Sequence, residues 1–343
     1  MRGRRRLIAA AAGASIVGVL LASPWRVQHT GPDVELRGIA ARDEAHAWAS
    51  GAKGTVLRMR DGEKWDAVTV PGGDDLDFRD VETPSAGGVV LMSAGPGDKS
   101  RIYVSADGGD HWTLAHTNPD AKGFYDAIAF LDEKIGLVVG DPVDGKFVVR
   151  KTEDGGATWG DVAGVEMPPA LEGEGAFAAS GTCLTALKGR GDAWFVTGGA
   201  RVGRVFHTTD RGKTWTVADS PVKAGNASSG LFSVAFVDPL SGFVVGGDYK
   251  QPALAALNGA RTEDGGKTWI PAPIGDSGFY SAVRAIPTTN GELVAVGPMG
   301  TARSTNHGRR WTKVDPTPLN AAAFASPRAG WGAGPKGTVV RIR

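Results

Sequence analysis

Residues 152–159 read Thr-Glu-Asp-Gly-Gly-Ala-Thr-Trp, and this octet decides the fold because near-copies of it recur along the 343-residue chain. Four copies share the pattern Ser/Thr-x-Asp-x-Gly-x-x-Trp, a fifth has Asn306 in place of the aspartate, and a sixth keeps only its glycine and tryptophan. The octets end at Trp65, Trp112, Trp159, Trp215, Trp269 and Trp311. Successive tryptophans lie between 42 residues (269 to 311) and 56 residues (159 to 215) apart, which is the length of one four-stranded propeller blade.

The sequence around each octet has the same order of patterns. An apolar stretch, a glycine-rich turn and a second apolar stretch precede the octet, as in residues 135–140 and 147–150. Short alternating runs separated by Gly and Asp every 8–12 residues are typical of stacked strands. No segment has a sustained helical period, so we predict an all-β fold.

Seven such units can be counted. Their innermost strands are predicted to begin near Leu36, Phe78, Phe124, Ala176, Leu231, Phe279 and Leu319. The last unit ends without an octet or a fourth strand, whereas residues 25–28 (Trp-Arg-Val-Gln) resemble the strand that follows an octet, residues 215–218. We therefore predict a seven-bladed β-propeller whose last blade is closed by an N-terminal strand, which would remove exposed sheet edges.

The octets are predicted to form the turns between the third and fourth strands of the blades. Their aspartates are Asp107, Asp154, Asp210 and Asp264. A carboxylate in such a turn accepts hydrogen bonds from backbone amides of its own loop, and the following glycine supplies a conformation that other residues resist. We interpret these aspartates as structural. Each turn offers one carboxylate, fewer oxygens than calcium usually takes.

Residues 1–23 differ from the rest of the chain. Arg2, Arg4, Arg5 and Arg6 precede an uncharged apolar run, residues 7–22, which is the order of a signal peptide. The run is near the shortest that spans a bilayer, and the paired arginines also fit a twin-arginine signal. We predict a signal peptide or N-terminal membrane anchor over 1–23, the propeller over 24–343, and a periplasmic or exported protein that an uncleaved leader would anchor to the inner membrane. The alternative is a buried apolar N-terminal helix.

Charge and cysteine content exclude several classes of function. Without the four leader arginines, 34 basic and 37 acidic residues remain, a net charge of −3. A nucleic-acid partner is not expected, because there is no basic excess to neutralise phosphates. Cys183 is the only cysteine, so neither an internal disulfide nor a cysteine-based zinc site is expected. Residues 198–203 are glycine-rich but do not join a strand to a helix, so no dinucleotide is predicted. We predict no cofactor and no metal.

The octets resemble the Asp-box, or bacterial neuraminidase repeat, which occurs in sialidases, other glycoside hydrolases, sortilins and non-enzymatic propellers. A more specific resemblance is to the photosystem II stability and assembly factor family and its bacterial relatives. These repeat an aromatic-x-Asp strand start, a glycine-rich strand pair and DGG-x-x-W, as in residues 124–130, 137–141 and 154–159, with a weaker copy at 232–236, 243–247 and 264–269. The resemblance covers residues 36–343. It implies a lumenal or periplasmic scaffold with no known chemistry.

Propellers usually bind ligands over the central channel, on the face opposite the octet turns. Polar residues at the starts of the inner strands are therefore the predicted binding residues: Arg37, Arg79, Asp80, Tyr125, Asp126, Tyr280 and Arg284. Further candidates on the inner strands and cross-channel loops are Ser233, Asn320, Asp141, Glu174, Asp248, Tyr249 and Lys250. Arginine, carboxylate and tyrosine side chains in a ring can hold an anionic or sugar ligand through bidentate bonds. The alternative for each residue is a turn cap or a solvated side chain.

Two functions remain open from the sequence. The first is a non-catalytic binding or assembly scaffold for envelope or membrane proteins. The second is a sialidase-like or other glycoside hydrolase, in which Arg37, Arg79 and Arg284 would hold a carboxylate and Tyr125 or Tyr280 would be the nucleophile. The Arg-Ile-Pro element that the sialidase resemblance implies is absent, since the chain reads Leu-Arg-Gly-Ile at 36–39. A hydrolase with two carboxylates would draw on Asp80, Asp126 or Glu174. We favour the scaffold.

Overall fold

The computed structural model describes residues 25–31, 33–276 and 278–342, and the predicted leader lies outside them. The described chain forms seven antiparallel four-stranded sheets, the blades of a propeller. This confirms the predicted fold class. No helix in these ranges is long and apolar enough to cross a membrane.

Each blade begins with its innermost strand at the channel and ends with its outermost strand. Blade 1 contains β2 (Leu36–Ala41), β3 (Ala47–Gly51), β4 (Val56–Met59) and β5 (Trp65–Ala67). Blade 2 contains β6 (Phe78–Glu82), β7 (Val89–Ser93), β8 (Arg101–Ser105) and β9 (Thr113–Thr117), with a 3₁₀ turn at Gly97–Lys99. Blade 3 contains β10 (Tyr125–Phe130), β11 (Gly136–Val143), β12 (Lys146–Thr152) and β13 (Gly160–Asp161). Blade 4 contains β14 (Leu184–Ala186), β15 (Ala193–Val196), β16 (Arg204–Thr208) and β17 (Thr216–Asp219).

The other three blades repeat this order. Blade 5 contains β18 (Ser229–Phe236), β19 (Gly242–Asp248), β20 (Gly259–Thr262) and β21 (Ile270–Pro271). Blade 6 contains β22 (Ala282–Ala285), β23 (Leu293–Gly297), β24 (Gly300–Ser304) and β25 (Thr312–Asp315). Blade 7 contains β26 (Ala321–Ser326), β27 (Ala329–Ala333), β28 (Val339–Ile342) and, as its outer strand, β1 (Trp25–His29).

Blade 7 is completed by both ends of the described chain, as predicted. β1 pairs antiparallel with β28, and Trp25 lies opposite Ile342. Gln28 fixes this strand further, because its Oε1 accepts hydrogen bonds from Nε1 of Trp331 at 2.9 Å and of Trp65 in blade 1 at 3.2 Å. The closing strand is therefore joined to both blade 7 and blade 1.

The octet turns connect the third and fourth strands. In residues 152–159, the Asp154 carboxylate accepts hydrogen bonds from the Thr158 amide at 2.9 Å and the Thr152 hydroxyl at 2.8 Å. The Thr152 hydroxyl in turn accepts the Gly156 amide at 2.9 Å, and Gly156 has φ +97°. Asp107, Asp210 and Asp264 make the corresponding contacts in their own turns. These carboxylates satisfy amides of the turn, the contacts expected of structural residues.

The predicted start of one inner strand is wrong. In blade 4 the strand begins at Leu184, not near Ala176. Residues 176–182, which we call the channel segment, instead leave the blade and lie across the central channel. The physical reason is that this segment makes its hydrogen bonds with other blades rather than with blade 4.

Candidate binding site at the channel mouth

The channel segment is held by contacts with four other blades. Arg79 of blade 2 donates from Nη1 to the Ala178 carbonyl at 3.1 Å, and Arg37 of blade 1 donates to the Ala179 carbonyl at 3.4 Å. Two predicted binding arginines therefore position backbone that covers the channel. Each uses only part of its five N–H donors in these bonds.

Hydroxyl groups complete the attachment. Ser180 Oγ donates to the Ser281 carbonyl next to blade 6 at 3.0 Å, and Thr182 Oγ1 donates to Ser233 Oγ of blade 5 at 2.6 Å. Gly181 lies so close to blade 2 that a Cβ there would clash with Asp80 Oδ1, and its φ is +66°. Glycine is required at this position.

Bulges in the inner strands leave four side chains outside the regular pairing. The pairing register of the inner strand shifts by one residue at Arg37, Arg79, Asp126 and Phe232, in blades 1, 2, 3 and 5. A bulge leaves one residue unpaired and turns its side chain away from the regular alternation. Three of the seven predicted binding residues occupy these positions.

The mouth cavity lies above the channel segment and has a volume of about 380 Å³. Its polar side includes Arg37 and Arg79, together with Asn320, which donates to Glu35 at 2.7 Å. Arg79 also pairs with Asp77 at 2.8 Å. Burial, followed by the charge of neighbouring Arg79, lowers the pKa of Arg37. Two partly desolvated guanidinium groups therefore share this side of the mouth.

The other side of the mouth cavity is an aromatic quartet, Phe177, Phe232, Tyr249 and Phe279. Phe177 and Phe232 stack with centroids 4.0 Å apart, and Phe279 packs edge-on against Phe232 at 4.8 Å. Tyr249 is 46% exposed at the rim. Of these four aromatic residues, only Tyr249 is among the binding candidates from the sequence. Phe232 and Phe279 belong to the aromatic residues that recur at the inner strands, a pattern that the sequence analysis uses as evidence for the repeat and not for a binding site.

A second cavity, the acidic basin, adjoins the mouth cavity and shares Arg79, Phe177 and Ala178 with it. Its volume is about 740 Å³, and its lining includes Asp126 and Asp141. Asp126 is 1% exposed, and its Oδ2 has no hydrogen-bond partner among the described residues. Burial and then the charge of Asp141 raise the pKa of Asp126 well above its usual value, and burial raises the pKa of Asp141 to about 6.

One wall of the acidic basin is fixed by a buried ion pair. Glu174 pairs with Arg204, and their side chains are 0% and 8% exposed. Glu174 also accepts hydrogen bonds from the Leu171 amide at 2.8 Å and the Thr197 hydroxyl at 2.5 Å, and Arg204 donates to the Pro169 carbonyl at 2.8 Å. Glu174 therefore fixes the loop 169–175, and its carboxylate is fully engaged.

Two other predicted binding residues lie within the ring, away from the mouth cavity. Asp80 is 2% exposed and accepts a hydrogen bond from the Ile128 amide at 2.7 Å. Burial, and then the charge of Glu82, raise the pKa of Asp80 well above its usual value. Arg284 donates to the Ala322 carbonyl at 3.2 Å and lowers the pKa of both carboxyl groups through its charge. These groups connect neighbouring inner strands.

The two tyrosines are not brought to the mouth. Tyr125 is fully buried between blades 2 and 3, and its hydroxyl lies 3.0 Å from His116 Nε2. Tyr280 is 3% exposed and packs in the core between blades 5 and 6. In the inner strand of blade 3 the bulge at Asp126 explains the difference, because it separates the direction of Tyr125 from that of the mouth residues.

The remaining candidates have local partners. The Asp248 carboxylate accepts hydrogen bonds from Ser228 Oγ at 2.7 Å and the Lys250 amide at 3.0 Å. Cys183 is fully buried, and burial, with the charge of Asp126, raises the pKa of its thiol well above the usual value. In the described part of the chain, no group of three or more His, Cys, Asp or Glu side chains is arranged to hold a metal ion.

Solved structures with the same fold include two of YCF48. YCF48 bound to D1 peptide superposes with a TM-score of 0.66 and 16% identity, over 94% of this chain and 98% of that one. YCF48 from Cyanidioschyzon merolae gives 0.64 and 15%, over 94% and 99%. The Pan2 WD40 domain of Neurospora crassa gives 0.60 and 14%, over 93% and 95%. No protein-family model and no curated protein sequence matches the chain. At these identities the likeness establishes the propeller fold.

Proposed function

We propose that this chain is a non-catalytic binding and assembly scaffold that holds an extended segment of a partner protein across the channel mouth. The observation that carries the proposal is the division of the mouth cavity into two sides. Arg37 and Arg79 lie on one side and the stacked pair Phe177 and Phe232 on the other. Such a surface fits a peptide with an acidic group next to an apolar side chain.

Two further points support a protein partner. YCF48, which has the same fold, has been solved bound to D1 peptide, and the octets and inner strands of this chain resemble the photosystem II stability and assembly factor family. The channel segment also lines the mouth cavity, and hydrogen bonds from Arg79 and Arg37 hold it there. Rigid frames that present loops and exposed aromatic side chains suit recognition of peptides.

We further propose that the scaffold is exported and acts on envelope or membrane proteins. The basis is the basic and apolar order of residues 1–23. The six octets are interpreted as Asp-box repeats on the strength of their pattern and of the turn hydrogen bonds at Asp154.

The glycoside hydrolase alternative has less support. Its proposed nucleophiles, Tyr125 and Tyr280, are buried between blades, while Arg37 and Arg79 are at the mouth. Catalysis requires a nucleophile within reach of the substrate. Turnover of fluorogenic sialosides or β-glycosides that is lost in Asp126→Asn would restore this alternative.

Site-specific crosslinking tests the binding proposal. A photoreactive phenylalanine analogue would replace Tyr249 at the mouth rim or, as the matched control, Lys267 in an octet turn on the opposite face; both positions are exposed. In intact cells, we expect the Tyr249 position to form a discrete adduct with an envelope protein, and Arg37→Met to reduce its yield. Adducts formed equally from Lys267, or unaffected by Arg37→Met, would contradict the proposal.

A further inference from the structure

The acidic basin is built differently from the mouth cavity beside it. Two carboxyl groups, Asp126 and Asp141, lie in its wall, and the charge of Asp141 raises the pKa of Asp126. The backbone amides of Ala178 and Asp141 act on the Asp126 carboxyl group and lower its pKa, but its buried Oδ2 has no hydrogen-bond partner among the described residues. A buried polar atom without a hydrogen-bond partner is unfavourable, and its position in the wall of an open cavity points to a partner group supplied from outside.

The nearby cations of this chain have other partners. Arg79 pairs with Asp77 and donates to the Ala178 carbonyl, and the Lys122 ammonium lies 3.4 Å from Asp144. The other titratable groups facing the pair or lining the basin are Asp80, Glu172, the Cys183 thiol and Glu174, which is paired with Arg204. Arg79 lines the basin and its charge lowers the pKa of Asp126, but it makes no hydrogen bond to Asp126 Oδ2.

The chain keeps the Asp141 carboxylate accessible through a glycine. Any Cβ at Gly175 would be 2.6 Å from Asp141 Oδ1. The same oxygen accepts the Ala176 amide at 3.0 Å, which fixes its direction. The basin wall therefore has one oriented carboxylate and one unsatisfied carboxyl oxygen.

We propose that the acidic basin is a second subsite that binds a primary ammonium group, a lysine side chain of the segment that occupies the mouth cavity. This rests on the proposed function for the identity of the partner, whereas the site itself is defined by Asp126 and Asp141. The two cavities share lining residues and therefore lie side by side, and in this proposal one extended segment reaches both. An ammonium is preferred to a divalent cation because two carboxylates are fewer oxygen ligands than Ca²⁺ takes.

Binding exchanges a proton for the ammonium. Burial raises the pKa of Asp141 to about 6, and burial with the charge of Asp141 raises the pKa of Asp126 well above its usual value, so protons compete with the ammonium for both carboxyl groups. An entering ammonium donates N–H groups to both carboxylates, and Asp126 releases its proton to the solvent. Because the ammonium binds the ionised pair, affinity rises with pH and falls as the carboxyl groups are protonated.

The test uses a small probe, so that it does not depend on the natural partner. Nα-acetyl-lysine methylamide would be titrated into the folded protein, with the norleucine analogue, which lacks the ammonium, as matched control. Amide resonances of Ala176, Ala178 and Asp141 report binding by NMR, and calorimetry in buffers of different ionisation enthalpy reports the released proton. We expect shifts with the lysine probe alone, and roughly tenfold weaker binding in Asp126→Asn and in Asp141→Asn.

Controls separate loss of binding from loss of fold. Asp126→Asn replaces a buried carboxyl group, whose ionisation burial disfavours, by a neutral amide of similar shape, so its thermal midpoint should not fall. Asp248→Asn removes a carboxylate elsewhere on the same face and should leave the affinity unchanged. The proposal is wrong if norleucine causes the same shifts, if Asp126→Asn binds as the parent does, if no proton is released, or if Ca²⁺ displaces the lysine probe at lower concentration. Crosslinking at Tyr249 is a separate result and decides the mouth proposal independently.

Discussion

Asp264 illustrates how a single carboxylate stabilises an octet turn. It accepts hydrogen bonds from the Thr268 amide at 3.0 Å, the Thr268 hydroxyl at 2.6 Å and the Thr262 hydroxyl at 2.7 Å. We expect Asp264→Ala to lower the free energy of unfolding by about 1–2 kcal/mol, because turn donors lose their acceptor. Urea denaturation measures this, and Lys267→Ala in the same turn is the control, with little expected change. Loss of partner binding by fully folded Asp264→Ala would contradict a structural role.

The same residue predicts a pH dependence. Burial tends to raise the pKa of Asp264, but the Thr268 and Thr262 hydrogen bonds outweigh it and leave a pKa of about 2, below the usual 3.8. A depressed pKa in the folded state gives stability that is present above pH 4 and is lost as pH falls towards 2. The difference in unfolding free energy between the parent and Asp264→Ala should therefore shrink as the pH falls from about 4 to about 2. A difference that stays constant would show that the ionised form of Asp264 is not the form that stabilises the turn.

The octets could be predicted from sequence because their interactions are local. All the partners of Asp264 lie within four residues of it, so both members of each contact lie within the octet pattern. Which side chains line the mouth was less predictable. Whether Tyr125 or Asp126 faces the channel depends on a bulge in β10, and a one-residue shift reverses the direction of every side chain beyond it.

At the scale of elements, the loop 169–175 depends on one buried ion pair. We expect Arg204→Met to cost about 3–5 kcal/mol of unfolding free energy, because Glu174 would remain buried without its counter-charge. The double variant Arg204→Met with Glu174→Gln should recover part of this loss. Chemical denaturation measures both, and limited proteolysis should detect exposure of the loop in the single variant.

A surface pair provides the control. Arg190 pairs with Asp192 at 2.9 Å, but the Arg190 side chain is 54% exposed. Arg190→Met should change stability by less than about 1 kcal/mol, as is usual for exposed pairs. If the two arginine variants were equally stable, the Glu174–Arg204 pair would not fix the basin wall.

The channel segment is the element that sequence reasoning missed. Its fixing contacts come from Arg37, Arg79, Ser233 and Ser281, which lie 51 to 142 positions away in the sequence. A local pattern has no information on such contacts. Consequently the channel segment, a run of mostly small residues before Leu184, resembles one more inner strand in the sequence, although its residues 177–179 line the mouth cavity.

For the whole molecule, the closure of the ring was predictable because one end of the chain lacks a strand that the other end supplies. The last unit lacks a fourth strand, and residues 25–28 have the pattern of one. β1 also connects blade 7 with blade 1, since Arg26 pairs with Glu63 at 2.6 Å and Gln28 contacts Trp65 and Trp331. One short strand therefore joins two blades.

Removing that strand tests the closure. A chain that starts at residue 31 would leave β28 as an exposed edge and blade 7 with three strands. We expect a lower thermal midpoint and concentration-dependent association, because an unpaired edge offers its amides and carbonyls to other chains. A chain that starts at Trp25 is the matched control and should be monomeric with a single transition. Light scattering and calorimetry distinguish the two. If the shorter chain were as stable and as monomeric as the control, the ring would not depend on its N-terminal strand, and the leader could lie far from the blades without consequence for the fold.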